Sequence, residues 1–366
     1  MKPLAPFALL LLVGGCVSIN YYSQAINGEM DVIHRAQPIE RVLADPNAED
    51  SLKHKLNVVR QIRKFASSEL GLPDNGSFRR YADLQRPYEV WNVFAAPEFS
   101  TQPKEWCYLL LGCADYRGYF SHDGAEAAAR RLQQGGYDTY VSGVPAYSTL
   151  GWFDDPVLNT FVHYPDTQLA ALIFHELAHQ VVYVSGDTTF NESFAVTVEE
   201  EGTRRWLSRS GTKEQLAAYE AVETRGQAFA TLVNKYRARL TEIYATTLPD
   251  DAKRVRKAEA LRAMQTAYQN LKSAWNGFAG YDKWFAQQPN NAQLASASVY
   301  TQMVPAFQEL LAGEDGNLPR FYRAVKDIGA LPERERISAL QSLAQISPAH
   351  PSRNTDSRHP TKLVIR

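Results

Sequence analysis

The apolar stretch LAALIFHELAHQVVYV, residues 169–184, contains the pattern that decides the fold of this chain. Its length and its apolar composition predict a buried helix. Because residues four apart stack on one face of a helix, His175 and His179 can direct their imidazole rings at one point. Glu176 lies about a third of a turn from His175 and therefore beside that point. Two histidines with an adjacent acid in this pattern are typical of a catalytic zinc site, in which the acid activates the attacking water.

A third metal ligand is expected from the next helical segment. The residues Ser185-Gly186-Asp187 favour a turn, and Asn191 stands at a cap-like position after it. Glu192 is our candidate ligand, because two histidines and one glutamate leave the fourth zinc position open for water. Glu199 follows two helical turns later on the same face, where it can accept the free N–H of a ligating histidine and fix its tautomer. The alternative is an incidental pair of histidines on a helix surface, which the apolar flanks disfavour.

The rest of the pattern predicts an α+β fold that is predominantly helical. Aromatic and β-rich runs lie before residue 166, at residues 88–94, 113–120 and 137–144. After residue 166 the pattern is helical almost to the end. Apolar stripes that begin at Phe229 and Leu261 predict two antiparallel helices packed on each other. We therefore expect a small antiparallel sheet beside a helical half that supplies the zinc site.

The N-terminal residues predict export from the cytoplasm. Lys2 supplies a positive start, and the uncharged run 4–13 is too short to span a bilayer but suits the core of a secretory signal. Two glycines then precede Cys16, an arrangement that resembles a bacterial lipobox, in which the cysteine becomes the lipid-bearing N-terminus. Val17 favours the outer membrane by the usual sorting rule, so we expect a lipid-anchored envelope protein that faces the periplasm. The alternative is a plain signal peptide followed by an incidental cysteine.

These features divide the chain into three parts. We predict a signal peptide at residues 1–15, one domain at 16–346 and a tail at 347–366, whose Pro, Ser, His and Arg content indicates disorder. The net charge of −1 and the lack of a block of like charge argue against a nucleic-acid partner.

Cys107 and Cys113 are the two cysteines that remain after Cys16. A zinc site at this pair would need further ligands, and none stands nearby in the sequence. Because an exported protein meets an oxidising compartment, we expect a short-loop disulfide between them.

The site motif resembles a known group of enzymes. The block His175–His179, the segment 191–195 (NESFA) and the later Glu199 are similar to the glutamate-type zinc peptidases, whose aminopeptidase branch has HExxH followed by Asn-Glu-Gly-Phe-Ala and a further Glu. Twelve residues separate the second histidine from the glutamate, a shorter interval than in that branch, which indicates a different family. With the lipobox-like start, the whole sequence resembles the bacterial putative-aminopeptidase lipoprotein family. This resemblance implies a zinc peptidase domain over residues 16–346, with peptide substrates and with Glu176 as the general base.

Two further features concern catalysis and substrate binding. The resemblance implies a tyrosine as second donor to the oxyanion, and Tyr300 is our candidate, because the small and polar residues before it favour a helix that faces a wet cleft. A core or surface role for this tyrosine is the alternative. Thr149 to Trp152 is our candidate for an edge strand that pairs with the substrate backbone. The alternative there is a tight turn closed by Asp154-Asp155-Pro156.

The resemblance also implies an aminopeptidase, which must recognise a free α-ammonium group. This requires carboxylates that are not metal ligands, about one residue's length from the zinc. Our candidates are Asp154, Asp155, Glu200 and Glu201, with ordinary solvated acids as the alternative. Two other functions stay open: an endopeptidase of the cell envelope, and a non-catalytic metal-binding assembly lipoprotein. The presence of Glu176 argues against the second, because a purely structural zinc site needs no base.

Overall fold

The computed structural model of the protein describes residues 6–108 and 112–346. The tail predicted at 347–366 lies outside these residues, and the signal peptide predicted at 1–15 lies partly outside them. Within them, helices predominate and the strands form small sheets. The predicted α+β, predominantly helical fold is therefore confirmed.

The helices of the described residues are distributed along the whole chain and become continuous after residue 166. They are α1 (Pro6–Arg35), α2 (Ile39–Ala44), α3 (Asp50–Ser68), α4 (His122–Gln134), α5 (Asp166–His179), α6 (Thr188–Ser210), α7 (Lys213–Ala245), α8 (Asp250–Ala274), α9 (Asp282–Ala286), α10 (Asn291–Val299), α11 (Val304–Gly313), α12 (Leu318–Gly329) and α13 (Glu333–Ile346). None of these helices has a stretch that is long and apolar enough to cross a bilayer.

The strands are short and lie before α5. They are β1 (Gln37–Pro38), β2 (Arg80–Ala82), β3 (Val90–Pro97), β4 (Trp106–Tyr108), β5 (Gly112–Ala114), β6 (Arg117–Tyr119), β7 (Tyr137–Val144) and β8 (Val157–Leu158). One sheet has the order β1-β2-β8, with β2 antiparallel to β1 and parallel to β8. A second sheet, β6-β3-β7, is antiparallel, and β4 and β5 form a hairpin. The β-rich run at 113–120 thus divides between the hairpin and the second sheet.

Helices α5 and α6 pack against each other within the largest apolar core. On α5, Phe174 and Leu177 are fully buried. On α6, Phe190 and Phe194 contact Phe307 of α11, with ring centroids 5.1 and 6.1 Å away. The residue that follows each phenylalanine by two positions lies on the opposite side of the helix, because each step turns the side chain by about 100°. Because the phenylalanines face α11, the opposite side of α6, which carries polar residues, faces α5.

The sheet β6-β3-β7 has two different faces. Trp91 and Val93 of β3 lie on one face, where they pack on alanines of α4. Strand alternation places Asn92 on the other face, level with Gly118 of β6 and Ser142 of β7 in the strand register. This second face borders the cavity in front of α5 and α6.

Helices α7 and α8 form the antiparallel pair that their apolar stripes predict. Only residues 246–249 connect them, which forces the second helix to return along the first. Leu232 and Tyr236 of α7 share a second apolar core with Met264 and Tyr268 of α8. Helix α10 contacts both α7 and the sheet β6-β3-β7, so the pair supports α10 from the outside.

Candidate metal centre

A short loop joins α5 to α6 and determines where the predicted ligands meet. The carboxylate of Asp187 caps α6 by accepting from the backbone N–H of Phe190 at 3.0 Å. The amide of Asn191 accepts from the N–H of Val184 at 2.7 Å and donates to the carbonyl of Val184 at 2.8 Å. The cap-like role expected of Asn191 is therefore wrong, because Asp187 takes it. Asn191 instead ties the loop to the first turn of α6, next to Glu192.

The three predicted ligand atoms form a compact triangle. Nε2 of His175 lies 3.3 Å from Nε2 of His179 and 3.3 Å from Oε2 of Glu192. Nε2 of His179 lies 3.6 Å from the same carboxylate oxygen. Zinc–ligand bonds of about 2.0–2.2 Å at tetrahedral angles separate the ligand atoms by about 3.4 Å. The triangle thus has the dimensions of three ligands around a tetrahedral zinc ion, and these residues fit that metal.

The two histidines differ in what their outer ring nitrogens contact. Nδ1 of His175 lies 2.9 Å from Oε2 of Glu199. When this nitrogen donates its proton to the carboxylate, Nε2 presents a lone pair to the triangle. Nδ1 of His179 is buried and has no hydrogen-bond partner among the described residues. The orientation of His175 is therefore supported by a carboxylate, whereas that of His179 depends on packing.

Burial and charge act in opposite directions on the pKa values of Glu192 and His175. Burial would raise the pKa of Glu192, but His179 and His175 lower it to about 2. Burial would lower the pKa of His175, but its contacts with Glu192 and Glu199 raise it well above the usual value. The site without metal therefore favours an ionised Glu192 beside a protonated His175. Since metal ligands must be deprotonated, metal binding is expected to release this proton.

Glu176 lies beside the triangle and not within it. It is 8% exposed and lines the same cavity as the predicted ligands. Burial raises its pKa, and the charges of Glu192 and Glu199 oppose the lowering effect of the histidines. Unlike those two glutamates, it has no hydrogen bond to a side chain in the described part of the protein. Its carboxylate is therefore free to accept a proton from a water molecule in the cavity.

A cavity of about 1290 Å³ opens in front of the triangle. Aromatic side chains form much of its wall and include Tyr21 and Tyr22 of α1, Tyr147, Trp152 and Phe153. Its charged lining consists of glutamates and the two histidines, and no described lysine or arginine reaches it. Such a lining favours a ligand that is largely apolar and carries a positive charge.

Glu29 of α1 is an acid in this cavity that the sequence reasoning missed. Its carboxylate accepts a hydrogen bond from the hydroxyl of Tyr147. Burial raises the pKa of Glu29, and this hydrogen bond partly offsets the rise. In the sequence, Glu29 is the first charged residue after Lys2. The end of a long uncharged segment at an acid is the signal that identifies it.

None of the four acids expected to bind an α-ammonium group, Asp154, Asp155, Glu200 and Glu201, lines the cavity. Glu200 accepts from the side-chain amide of Gln308 at 2.7 Å. Glu201 forms ion pairs with two arginines of α6 at 2.7 and 2.9 Å. Each step along a helix turns the side chain by about 100°. Glu200 and Glu201 therefore point away from the side on which Glu199 contacts α5.

The segment Thr149 to Trp152 is a turn, so the prediction of a substrate-pairing strand there is wrong. Leu150 and Gly151 have positive φ angles of 59° and 79°, and the N–H of Trp152 donates to the carbonyl of Thr149 at 3.0 Å. Asp155 closes the turn by accepting from the Thr149 hydroxyl at 2.6 Å. Asp155 is thus a buried turn residue, and burial raises its pKa to about 7 despite these hydrogen bonds.

Strand β7 is the edge strand that borders the cavity. Its residues 142–144 line the cavity, and β7 lies at one end of the strand order β6-β3-β7. The opposite edge is covered by α1, because the side-chain oxygen of Gln24 accepts from the N–H of Phe120 at 3.1 Å. Strand β7 is therefore the sheet edge that faces the cavity.

Three tyrosines lie near the glutamates of the site. Tyr300 follows the last residue of α10 and lines the cavity. Burial raises its pKa well above the usual value, and the charges of Glu192 and Glu176 add to the rise. Tyr116 and Tyr183 also line the cavity, and burial followed by the charge of Glu192 raises the pKa of both. Sequence reasoning missed these two, because neither belongs to the motif.

Helix α10 does not face a wet cleft. The expectation that its small and polar residues are exposed to solvent is therefore wrong. Its polar residues Asn291, Gln293, Ser296 and Ser298 are all buried. They form hydrogen bonds within the protein, for example from Gln293 to the carbonyl of Trp284 at 2.8 Å. The helix is therefore packed, and it is the tyrosine after its last turn that reaches the cavity.

Cys107 and Cys113 are joined by a disulfide that closes the hairpin of β4 and β5. As a disulfide, this pair does not supply thiolate ligands for a metal. The hairpin packs against the loop between α5 and α6. A Cβ atom at Gly112 would lie 2.6 Å from Oγ of Ser185 and 2.7 Å from the backbone N of Gly186. The hairpin thus supports the loop that precedes the ligand helix.

Comparison with known families gives one match. A family described as putative aminopeptidase matches residues 20–340, which is most of the chain. The chain therefore belongs to the putative aminopeptidase family, and this membership indicates peptidase activity. The searches of curated proteins and of solved structures found no match.

Proposed function

We propose that this member of the putative aminopeptidase family is a zinc-dependent aminopeptidase of the cell envelope. The observation that carries the proposal is the triangle of Nε2 of His175, Nε2 of His179 and Oε2 of Glu192, with Glu176 beside it. Two histidines and a glutamate are the ligand set of zinc peptidases, in which the fourth position is open. Family membership supports the peptidase part of the proposal independently of this geometry.

The residues of the triangle would hold the zinc ion, and Glu199 would keep His175 in the tautomer that binds it. When bound, zinc supplies Lewis-acid chemistry, which polarises the scissile carbonyl and makes water more acidic.

Glu176 is the proposed general base. Its ionised carboxylate accepts the proton of the attacking water, and the same group then donates that proton to the leaving amine. The raised pKa of Glu176 suits the second step, because a carboxyl group that holds a proton more readily remains protonated until the amine leaves.

A tyrosine hydroxyl is the proposed second donor to the oxyanion that forms on the carbonyl. Tyr300 remains our first candidate, since it lines the cavity and the charges of Glu192 and Glu176 both act on it. Its hydroxyl would donate a hydrogen bond as negative charge develops. Tyr116 and Tyr183 are the comparison residues, because they line the same cavity.

The lining of the cavity supports a peptide with a free N-terminus and large apolar side chains as the substrate. Glu29 is the lining carboxylate that neither belongs to the triangle nor contacts it, so it is our candidate partner for the α-ammonium group. The aromatic wall favours apolar residues. The edge of β7 would hold the peptide in an extended conformation.

The proposed location follows from the N-terminal sequence. A lipid on Cys16 would anchor the protein in the outer membrane, facing the periplasm. Metabolic labelling with a clickable fatty acid should mark the wild type and should not mark Cys16→Ala. A wild type without label would leave an exported protein that has no anchor.

The deciding experiment combines metal analysis with a peptide-library assay. We expect one zinc ion per chain in the wild type, and release of single N-terminal residues from free peptides. Glu176→Gln should keep the zinc and lose the activity, because it removes the base and leaves the ligands intact. Zinc without turnover in the wild type would favour the assembly lipoprotein, and internal cleavage would favour the endopeptidase. Full activity of Glu176→Gln would refute the assignment of the base.

A further inference from the structure

Helix α1 and the turn before β8 carry large apolar side chains that face solvent. Tyr22, Ile26 and Met30 are 43%, 62% and 40% exposed, and Trp152 and Phe153 are 68% and 47% exposed. Side chains of this size and type are usually buried in a soluble domain. We call these five residues the apolar rim.

The two parts of the apolar rim are related through the cavity. The three residues of α1 are spaced four apart, so they follow one face of the helix. Tyr22 lines the same cavity as Trp152 and Phe153. The helix stripe and the turn thus both contribute exposed apolar side chains to the wall of this cavity. An exposed apolar surface of this size commonly marks an interaction site.

The composition of the rim and its surroundings fits a lipid surface. The sequence has no charged residue between Lys2 and Glu29, and Tyr22 and Ile26 lie in this segment. Helices that lie in the headgroup region of a bilayer bury one apolar face. Tryptophan and tyrosine are enriched at that depth, because their rings are apolar at one end and polar at the other.

The rim is also close to the proposed lipid-bearing residue. Helix α1 is continuous from Pro6 to Arg35, so Cys16 and the three rim residues of α1 belong to one helix. A rise of 1.5 Å per residue puts Tyr22 about 9 Å from position 16 along the axis. A lipid on Cys16 would therefore hold the rim next to the bilayer, with a helix between them and not a flexible linker.

We propose that the apolar rim lies against the surface of a lipid bilayer, so that the cavity opens beside the membrane. A bilayer is favoured over a second copy of the chain because the rim continues the uncharged helical segment that carries Cys16. The orientation of the protein on the bilayer relies on the proposed lipid anchor. The contact between the rim and the bilayer can be measured without that anchor. The inference concerns orientation and is independent of whether the protein hydrolyses peptides.

The test uses the chain of residues 16–366 with Cys16→Ser, which carries neither the lipid nor the predicted signal peptide. It is mixed with vesicles of phosphatidylethanolamine and phosphatidylglycerol whose acyl chains are brominated near the headgroups. We expect co-sedimentation with the vesicles and quenching of tryptophan fluorescence. The protein has 6 tryptophans, so Trp152→Phe identifies the quenched ring: it should remove most of the quenching and leave much of the binding.

Variants of the rim then test the surface itself. Ile26→Ser combined with Met30→Ser should lower the vesicle partition coefficient by about tenfold or more, because two apolar side chains no longer enter the lipid. The matched control is Val222→Ser combined with Val255→Ser, which changes two valines that are 50% and 57% exposed on α7 and α8. This control should bind like the parent protein. Circular dichroism checks that both double variants keep their helices.

Three results would overturn the proposal. The first is a Cys16→Ser protein that neither sediments with vesicles nor shows quenching. The second is equal binding of the rim variant and the valine control. The third is a dimer in analytical ultracentrifugation that the rim variant abolishes, which would assign the rim to a second copy. Absence of fatty-acid labelling at Cys16 is a separate result. It would refute the proposed lipid anchor and would leave the contact between the rim and the bilayer unaffected.

Discussion

Oε2 of Glu199 lies 2.9 Å from Nδ1 of His175, on the far side of the imidazole ring from the nitrogen that faces His179 and Glu192. The contact links α5 and α6, which are separated by a single short loop. It makes Glu199 a residue that orients a predicted ligand without belonging to the triangle. The other histidine has no such contact among the described residues, so the site depends unequally on its two imidazoles.

Replacing Glu199 should weaken metal binding without abolishing it. Glu199→Ala removes the carboxylate that fixes the tautomer of His175, and zinc affinity should fall by roughly 10–100-fold. A competition titration with a zinc indicator measures the change. Glu201→Ala is the control, since Glu201 lies on the same helix and pairs with arginines outside the cavity. Equal affinities of the two variants would assign Glu199 to the helix surface.

Removing the hydroxyl of Tyr300 should reduce turnover and leave zinc content unchanged. If this hydroxyl donates to the oxyanion, Tyr300→Phe lowers kcat by roughly 10²–10³-fold. The same assay on Tyr116→Phe and Tyr183→Phe provides the comparison, because both line the cavity. Normal turnover in Tyr300→Phe, together with a large loss in one of the others, would move the role to that residue.

Glu29→Gln should affect free peptides selectively. Loss of one charge-assisted hydrogen bond to the α-ammonium group is expected to lower kcat/KM by about tenfold or more. N-acetylated peptides lack that charge, and the wild type should cut them poorly. Glu40→Gln changes an exposed glutamate outside the cavity and serves as the control. If acetylated and free peptides are cut at equal rates, Glu29 does not bind an ammonium group and the endopeptidase reading is favoured.

Gly112→Ala should disturb the metal site through the loop before α6. Gly112 and Gly136 have positive φ angles of 75° and 80°, so alanine at either costs about 1–2 kcal/mol of backbone strain. A new Cβ at Gly112 meets Ser185 and Gly186, whereas one at Gly136 meets nothing within 4 Å. Both variants should therefore lower the free energy of unfolding, and Gly112→Ala alone should also weaken zinc binding. Equal zinc affinities would show that the hairpin does not support the ligand loop.

The stability of the protein should fall as pH rises towards 8, partly because of Glu200. Burial, with the charge of Glu223, raises the pKa of Glu200 from 4.5 to about 8. Between these values the folded state binds the proton more strongly than the unfolded state does. The contribution of protonated Glu200 to the free energy of unfolding is thus complete below pH 4.5 and is lost as the pH rises to about 8. The loss is at most about 1.4 kcal/mol per pH unit.

Glu200→Gln tests this dependence directly. The amide stays neutral and can still accept from Gln308, so the variant should be more stable than the wild type at pH 8 and equal to it below pH 4.5. Urea unfolding at a series of pH values measures the difference. A pH dependence identical to that of the wild type would show that Glu200 titrates normally.

Much of the candidate metal centre is encoded locally, and the sequence was sufficient to predict which side chains meet there. His175 and His179 share a helix, and Glu192 and Glu199 share the next one, so helical periodicity alone specifies which side chains lie on one face. The same periodicity predicts the pair α7 and α8. The strand proposed at Thr149 to Trp152 came from the resemblance to zinc peptidases and not from periodicity. The alternative, a turn, is what forms, because of the positive φ angles there and the buried Asp155.

The wall of the cavity was decided by the tertiary structure. Glu29 and Tyr147 lie 118 positions apart, and their contact exists because α1 packs beside the sheet. Tyr116 approaches the site from between two short strands, and it carries no pattern that links it to α5 or α6. The sequence predicts which residues of one helix or strand lie on the same face, because the repeat of the backbone sets their spacing. Residues that meet through long-range packing have no such repeat, so the partners of the motif became visible only when the chain was folded.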